Sequence, residues 1–281
     1  MKSDLVLKVA VLDLYNGVQN QGMRCIKEIL EKNDSRYTQI DLQYDIFDVR
    51  GKSEIPNLEY DLYISSGGPG SPFDGMDQDW EPKYFTWMDD VWSHNLTHRK
   101  KKYVLMICHS FQLMARHFDL AEVVKRKSDS FGIMPVHLTP EGIIDPLFSQ
   151  FPETFYGADF REWQVLQPKT TNLRSLGASI LAIEKERPHV PLERAVMAVR
   201  VSPEIVGTQF HPEADPEGMF HHFMNDVQKE KIMSKHGLKK FDQTVSRLKD
   251  PNYLLPTYNN FIPNFIRLAL ESIYETEKVH S

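Results

Sequence analysis

The 281 residues contain only two cysteines, Cys25 and Cys108. Two thiols cannot form the disulfide framework of a small secreted scaffold, so an apolar core must hold the fold, and the expected setting is a reducing cytoplasm. No signal-peptide pattern opens the chain, which adds to that expectation. No apolar run approaches the roughly 20 residues needed to cross a bilayer, so no membrane role is expected. An excess of positive charge is also missing. The formal net charge is -6, no basic stripe is present, and the run Arg99–Lys102 is short and precedes an apolar strand, which argues against nucleic acid as a partner. Internal repeats and low-complexity tracts are missing. No P-loop lysine follows the glycine-rich segment at 67–70, so a phosphate cradle is not expected, and neither a cofactor nor a metal is called for.

The sequence does carry a strand-helix alternation. Val6–Leu12 reads as a buried strand, and Val18–Glu31 has helical spacing at Met23, Ile26, Ile29 and Leu30. Ile40, Leu42, Tyr44 and Ile46 alternate with polar residues, as in a strand with one wetter face. Asp61–Ser65 is a further strand, and Asp79–Leu96 carries a broad apolar helical stripe. This order predicts a doubly wound α/β fold, with ligands gathered at the carboxyl ends of the strands. Short strands are expected at Trp163–Leu166, Ser179–Ile183, Ala195–Val201 and Glu204–Phe210, the later ones paired antiparallel. Residues 215–281 read as helical throughout. Within them Phe261, Phe265, Ile266, Ala269, Leu270 and Ile273 form an amphipathic stripe, expected to pack on its own domain, with a homodimer face as the alternative.

The central stretch is Tyr103-Val104-Leu105-Met106-Ile107-Cys108-His109-Ser110-Phe111-Gln112. An unbroken apolar run with Val and Ile reads as a strand buried on both faces, and helical spacing follows it. Cys108 would then stand on a tight strand-to-helix turn, its sulfur above the sheet edge and at the positive end of a helix dipole. A buried cysteine is more often a small hydrophobe, so two further motifs matter. One is Ser65-Ser66-Gly67-Gly68-Pro69-Gly70 after the strand Leu62–Ile64. The other is Gly207-Thr208-Gln209-Phe210-His211-Pro212-Glu213 after Glu204–Val206.

Three motifs in this order, each at a strand end, resemble the class I glutamine amidotransferases, similar to the amidotransferase part of GMP synthase. The resemblance covers about the first three quarters of the chain. It implies a flavodoxin-like, mostly parallel sheet with helices on both faces over residues 1–214, and a helical C-terminal extension at 215–281. It further implies Cys108 as nucleophile, His211 as its partner and Glu213 as the residue orienting the imidazole. Gly68 and His109 would supply oxyanion N–H groups, and Gly67, Gln112 and Trp163 would contact the substrate. The implied reaction releases ammonia from glutamine through a thioester at Cys108, for an acceptor synthase on a separate chain.

Two residues depart from the family pattern. The family places glycine two residues before and two after the nucleophile, where this sequence has Met106 and Ser110, so a rearranged or strained turn is expected. A hydrolase of larger γ-glutamyl compounds with the same three residues is an alternative, with Arg161 and Trp163 reshaping the pocket. A binding module without turnover is a second one.

Overall fold

The computed structural model describes residues 6–36 and 40–278. Its first half alternates β1 (Val6–Asp13), α1 (Gln21–Arg36), β2 (Asp41–Asp48), α2 (Val49–Lys52), β3 (Leu62–Ser65), α3 (Trp80–Thr97), β4 (Tyr103–Ile107) and α4 (His109–His117). Then come β5 (Glu122–Leu138), α5 (Pro140–Ile144), a 3-10 turn, β6 (Thr154–Leu166), α6 (Thr170–Leu176), β7 (Ser179–Glu184), β8 (Val196–Ser202) and β9 (Ile205–Thr208). Four helices end the chain: α7 (Pro216–Met224), α8 (Asp226–His236), α9 (Leu238–Lys249) and α10 (Leu255–Lys278).

The strands form one nine-stranded sheet in the order β2-β1-β3-β4-β9-β8-β7-β5-β6. The pairs from β2 to β9 are parallel and those from β9 to β6 antiparallel. Successive strand residues point to opposite faces, and both faces are covered. Val9, Val11, Ile64, Leu105 and Ile107 pack with α1 and with the α10 stripe of Phe261, Phe265, Ile266, Ala269, Leu270 and Ile273. Ala10, Leu12, Tyr63, Val104 and Met106 pack with α3 and α4. A third cluster joins Ile133 and Ala158 to α7, α8 and α9. The expected α/β architecture is present, and the C-terminal stripe packs on one face of the sheet beside α1.

Several boundaries differ from expectation. Helix α1 starts at Gln21 rather than Val18, because the Asn20 side chain accepts from the Met23 N–H at 2.8 Å and caps it. Strand β5 runs on through the polar stretch 125–130, with a register shift there, and β6 begins nine residues before Trp163. Each is the other's partner, so neither needs a continuous apolar pattern of its own. Strand β9 stops at Thr208, and His211 makes only an isolated bridge to Ala158. The C-terminal helices break at residues 225, 237 and 250–254, and Pro263 lies inside α10. Residues 279–281 of the segment expected to be helical lie outside the described residues.

Candidate active site

The site is built at the carboxyl ends of β3, β4 and β9. Cys108, between β4 and α4, has φ 50° and ψ -94°, a positive-φ conformation that a non-glycine residue holds only when its surroundings impose it. The Cys108 N–H donates to the Thr208 carbonyl at 2.7 Å, and the Cys108 carbonyl accepts from the Gln112 N–H at 3.0 Å. The two residues expected to disturb this turn take part in holding it. The Ser110 hydroxyl accepts from the Ile107 N–H at 2.7 Å and lies 2.8 Å from the Ser65 carbonyl. Met106 points into the α3 and α4 cluster, where the Tyr84 hydroxyl lies 3.3 Å from its sulfur. The elbow keeps its positive φ without either glycine.

His211 is fixed at both ends. Its backbone N–H donates to the Ala158 carbonyl at 2.9 Å, and its Nδ1 lies 2.7 Å from Glu213 Oε1. Glu213 is 1% exposed, so its charge acts through a low dielectric. Burial alone would push the imidazole down, but Glu213 and the Cys108 sulfur outweigh it and hold His211 well above its ordinary range. Burial, with Arg50 and Arg116 adding to it, lowers His109 to about 3, so this imidazole is neutral. Tyr15 stands behind the pair, and burial followed by Glu213 and Cys108 pushes its phenol well up. Space here is minimal. A Cβ on Gly67 would lie 2.8 Å from His211 Cε1 and 3.6 Å from Cys108 Cβ, and one on Gly22 would collide with the Tyr15 hydroxyl.

Two cavities meet at Cys108. The first, about 430 Å³, is lined by Gly68, His109, Gln112, Phe160 and Trp163 among others. The second, about 660 Å³, includes Tyr15, Cys25, His211 and Glu213 in its walls. Gly67 lines neither cavity and sits behind them as the seat of the imidazole. The Trp163 ring packs on Phe73 with centroids 5.3 Å apart, and the Arg116 guanidinium lies 4.5 Å from the Phe73 centroid. Gln112 is 3% exposed and donates to Gln209 Oε1 at 3.2 Å, while Gln209 Nε2 lies 3.6 Å from Cys108 Sγ. Among the described residues no His, Cys, Asp and Glu group could hold a metal ion, and no helix is long and apolar enough to cross a membrane.

The sequence model of the family "Glutamine amidotransferase class-I" matches residues 11–230. The chain belongs to the class I glutamine amidotransferases. No curated protein matches it in sequence. Solved structures share the fold. A glutamine amidotransferase from Thermotoga maritima aligns with TM-score 0.66 and 16% identity, covering 94% of this chain and 98% of that one. A putative GMP synthase subunit from Thermoplasma acidophilum gives 0.54 and 20%, covering 97% and 98%. The glutaminase domain of Trypanosoma brucei CTPS, solved with acivicin bound, gives 0.55 and 16%, covering 93% and 94%.

In this amidotransferase the residues singled out from sequence converge around one point. Cys108, Gly68, His109, Gln112 and Trp163 share the first cavity, and His211 and Glu213 join Cys108 in the second. Sequence reading did not find Tyr15 or Gln209 as site residues. Gln209 lies inside the Gly207–Glu213 string and could have been singled out there. Tyr15 precedes a turn and carries no signal. Asp159 and Arg161 are joined at 2.8 Å, and Arg161 also faces Glu184 at 3.5 Å. Arg161, named with Trp163 as a residue that would reshape the pocket, is thus tied into a buried ion-pair network.

Proposed function

We propose that this amidotransferase hydrolyses the side-chain amide of glutamine through a thioester at Cys108. The observation that carries the reading is the His211–Glu213 pair, 2.7 Å apart, set against a cysteine held on a positive-φ elbow. The Cys108 thiolate attacks the amide carbon, and the carbonyl oxygen becomes an oxyanion that the N–H groups of Gly68 and His109 receive. His109 starts a helix, so its N–H has no acceptor within that helix. The intermediate collapses with loss of ammonia, whose nitrogen takes its proton from the His211 imidazolium. Water, deprotonated by the then neutral His211, attacks the thioester and releases glutamate, regenerating the thiolate and imidazolium. Glu213 keeps the imidazole turned toward the sulfur throughout. Gln112 and Trp163 bound the substrate, and Gly67 leaves room for the imidazole. No cofactor enters this scheme.

On this reading residues 1–214 are the amidotransferase unit that holds the machinery and residues 215–281 an extension packed on it, helical in its described part, Pro216–Lys278. The ammonia passes to an acceptor synthase on a separate chain in the cytoplasm. The similarity to a protein described as part of a synthase supports that arrangement. The second cavity favours a further reading, because it opens beside His211, where a leaving amine larger than ammonia would sit. On that reading the substrate is a γ-glutamyl amide. Glutamate release from glutamine and from a panel of γ-glutamyl amides, with Cys108→Ala run beside it, decides between them. Release from glutamine that is lost in the variant supports the first reading, and release only from the larger amides the second. A protein that releases glutamate from neither, and is not alkylated at Cys108 by a glutamine-analogue diazoketone, would overturn both.

A further inference from the structure

The match to the family ends at residue 230, inside α8 (Asp226–His236). The last turns of that helix lie over the nucleophile, and Lys235 and His236 line both cavities that meet at Cys108. Two contacts hold this part of α8 in place. Ile232 is buried in the cluster with Phe223 and Phe241, and the His236 ring stacks on Phe131 with centroids 4.2 Å apart. Between these anchors Lys235 extends into the first cavity. Its Nζ lies 2.7 Å from Asp129 Oδ2 and 3.4 Å from Glu162 Oε1.

This trio is poorly explained as a stabilising contact. The Lys235 and Glu162 side chains are 53% and 52% exposed, and exposed ion pairs contribute little. Its charges do fit a ligand. Two carboxylates face one ammonium, which leaves negative charge for a second cation, while a lysine has three donors and here uses two. The cavity's other permanent cation, Arg161, is 1% exposed and already engaged by Asp159 and Glu184.

We propose that Lys235 is a specificity-determining residue that binds the substrate's free α-carboxylate, with Asp129 and Glu162 receiving its α-ammonium. A segment beyond the family-matching residues thereby selects free α-amino acids over the same amide inside a peptide. The inference rests on the glutamine reading given above.

The test follows alkylation of Cys108 in the full chain by intact mass, with two reagents. One is a glutamine-analogue diazoketone that carries both α-charges, and the other is iodoacetamide, which carries neither. Lys235→Met is expected to slow the analogue about ten-fold, the loss of one charge-assisted hydrogen bond at a half-exposed site, and to leave iodoacetamide unchanged. Lys235→Arg should recover most of the rate. Equal slowing with both reagents would make Lys235 a support for α8 only, and no slowing with the analogue would remove it from recognition. Either result overturns the inference while the glutamine reading stands. If the wild-type protein reacts no faster with the analogue than with iodoacetamide and free glutamine gives no protection, the glutamine reading falls and takes this inference with it.

Discussion

The Ser110 hydroxyl donates to the Ser65 carbonyl at 2.8 Å, tying the first turn of α4 to the strand that delivers Gly67 and Gly68. The same oxygen accepts from the Ile107 N–H, so one side chain braces both arms of the site. Ser110→Ala leaves a buried N–H without an acceptor and should destabilise the fold by about 2 kcal/mol. Urea unfolding reads this as a lower midpoint with an unchanged slope, and an unchanged midpoint would show that the bond is dispensable.

Gly67 tests how closely the imidazole is seated. A methyl group there would lie 2.8 Å from His211 Cε1, nearer than real carbon contacts allow, and the ring would have to shift. Gly67→Ala should therefore lower kcat for glutamate release by about 100-fold, with the thermal midpoint almost unmoved. A kcat within a few-fold of wild type would place the catalytic ring elsewhere.

On the proposed mechanism, Glu213 would set the alkaline limit of the reaction. It is the strongest of the influences that hold His211 protonated well above its ordinary range. With glutamine in its place the charge is gone, the imidazolium loses its proton at lower pH, and the alkaline limb of the kcat/KM profile should move toward neutrality. Glu213→Gln should also cost about 100-fold in rate, within the range for general acid–base catalysis. A profile whose alkaline limb stays in place would assign that limb to another group.

His109 makes the fold sensitive to acid. Its folded value of about 3 lies below the 6.5 of an unperturbed imidazole, so the unfolded chain binds the proton more readily. Its contribution is present above pH 6.5 and is lost as the pH falls from there toward 3. The linkage slope makes the loss about 2 kcal/mol between pH 6.5 and 5. Urea midpoints across that interval should fall for the wild type and fall less for His109→Gln. Parallel curves would contradict the assignment.

The fold was legible where physics leaves a local trace. Strands β1, β3 and β4 are buried on both faces and therefore carry unbroken apolar runs, and the elbow could be read from the change of periodicity at Cys108. Strand β6 left little trace ahead of Trp163, because Asp159 and Arg161 read as solvated charges, whereas they are buried, paired directly at 2.8 Å, and Arg161 also faces Glu184 of another strand. Strand β5 is interrupted in sequence by Lys125–Ser130, yet Arg126 there is paired with Glu184 at 3.0 Å. Pairs distant in sequence turn apparent loops into strands. The convergence of Cys108 and His211 could be anticipated from motif order, but Tyr15 and the Lys235 trio depend on packing that no local pattern encodes.

The position of β9 between β4 and β8 also governs assembly. When the segment through Cys108 has been synthesised, β4 is an unpaired edge, because the strand that closes it starts at Ile205. The Thr208 carbonyl that anchors the Cys108 N–H comes from that same late strand, and His211 follows three residues behind it. Edge closure, the locking of the elbow and the arrival of the imidazole thus occur together, late in synthesis. Until then an apolar edge is exposed to other chains, and the thiol has not yet met the imidazole that the proposed mechanism pairs with it. A truncated chain ending before β9 would be both sticky and inert.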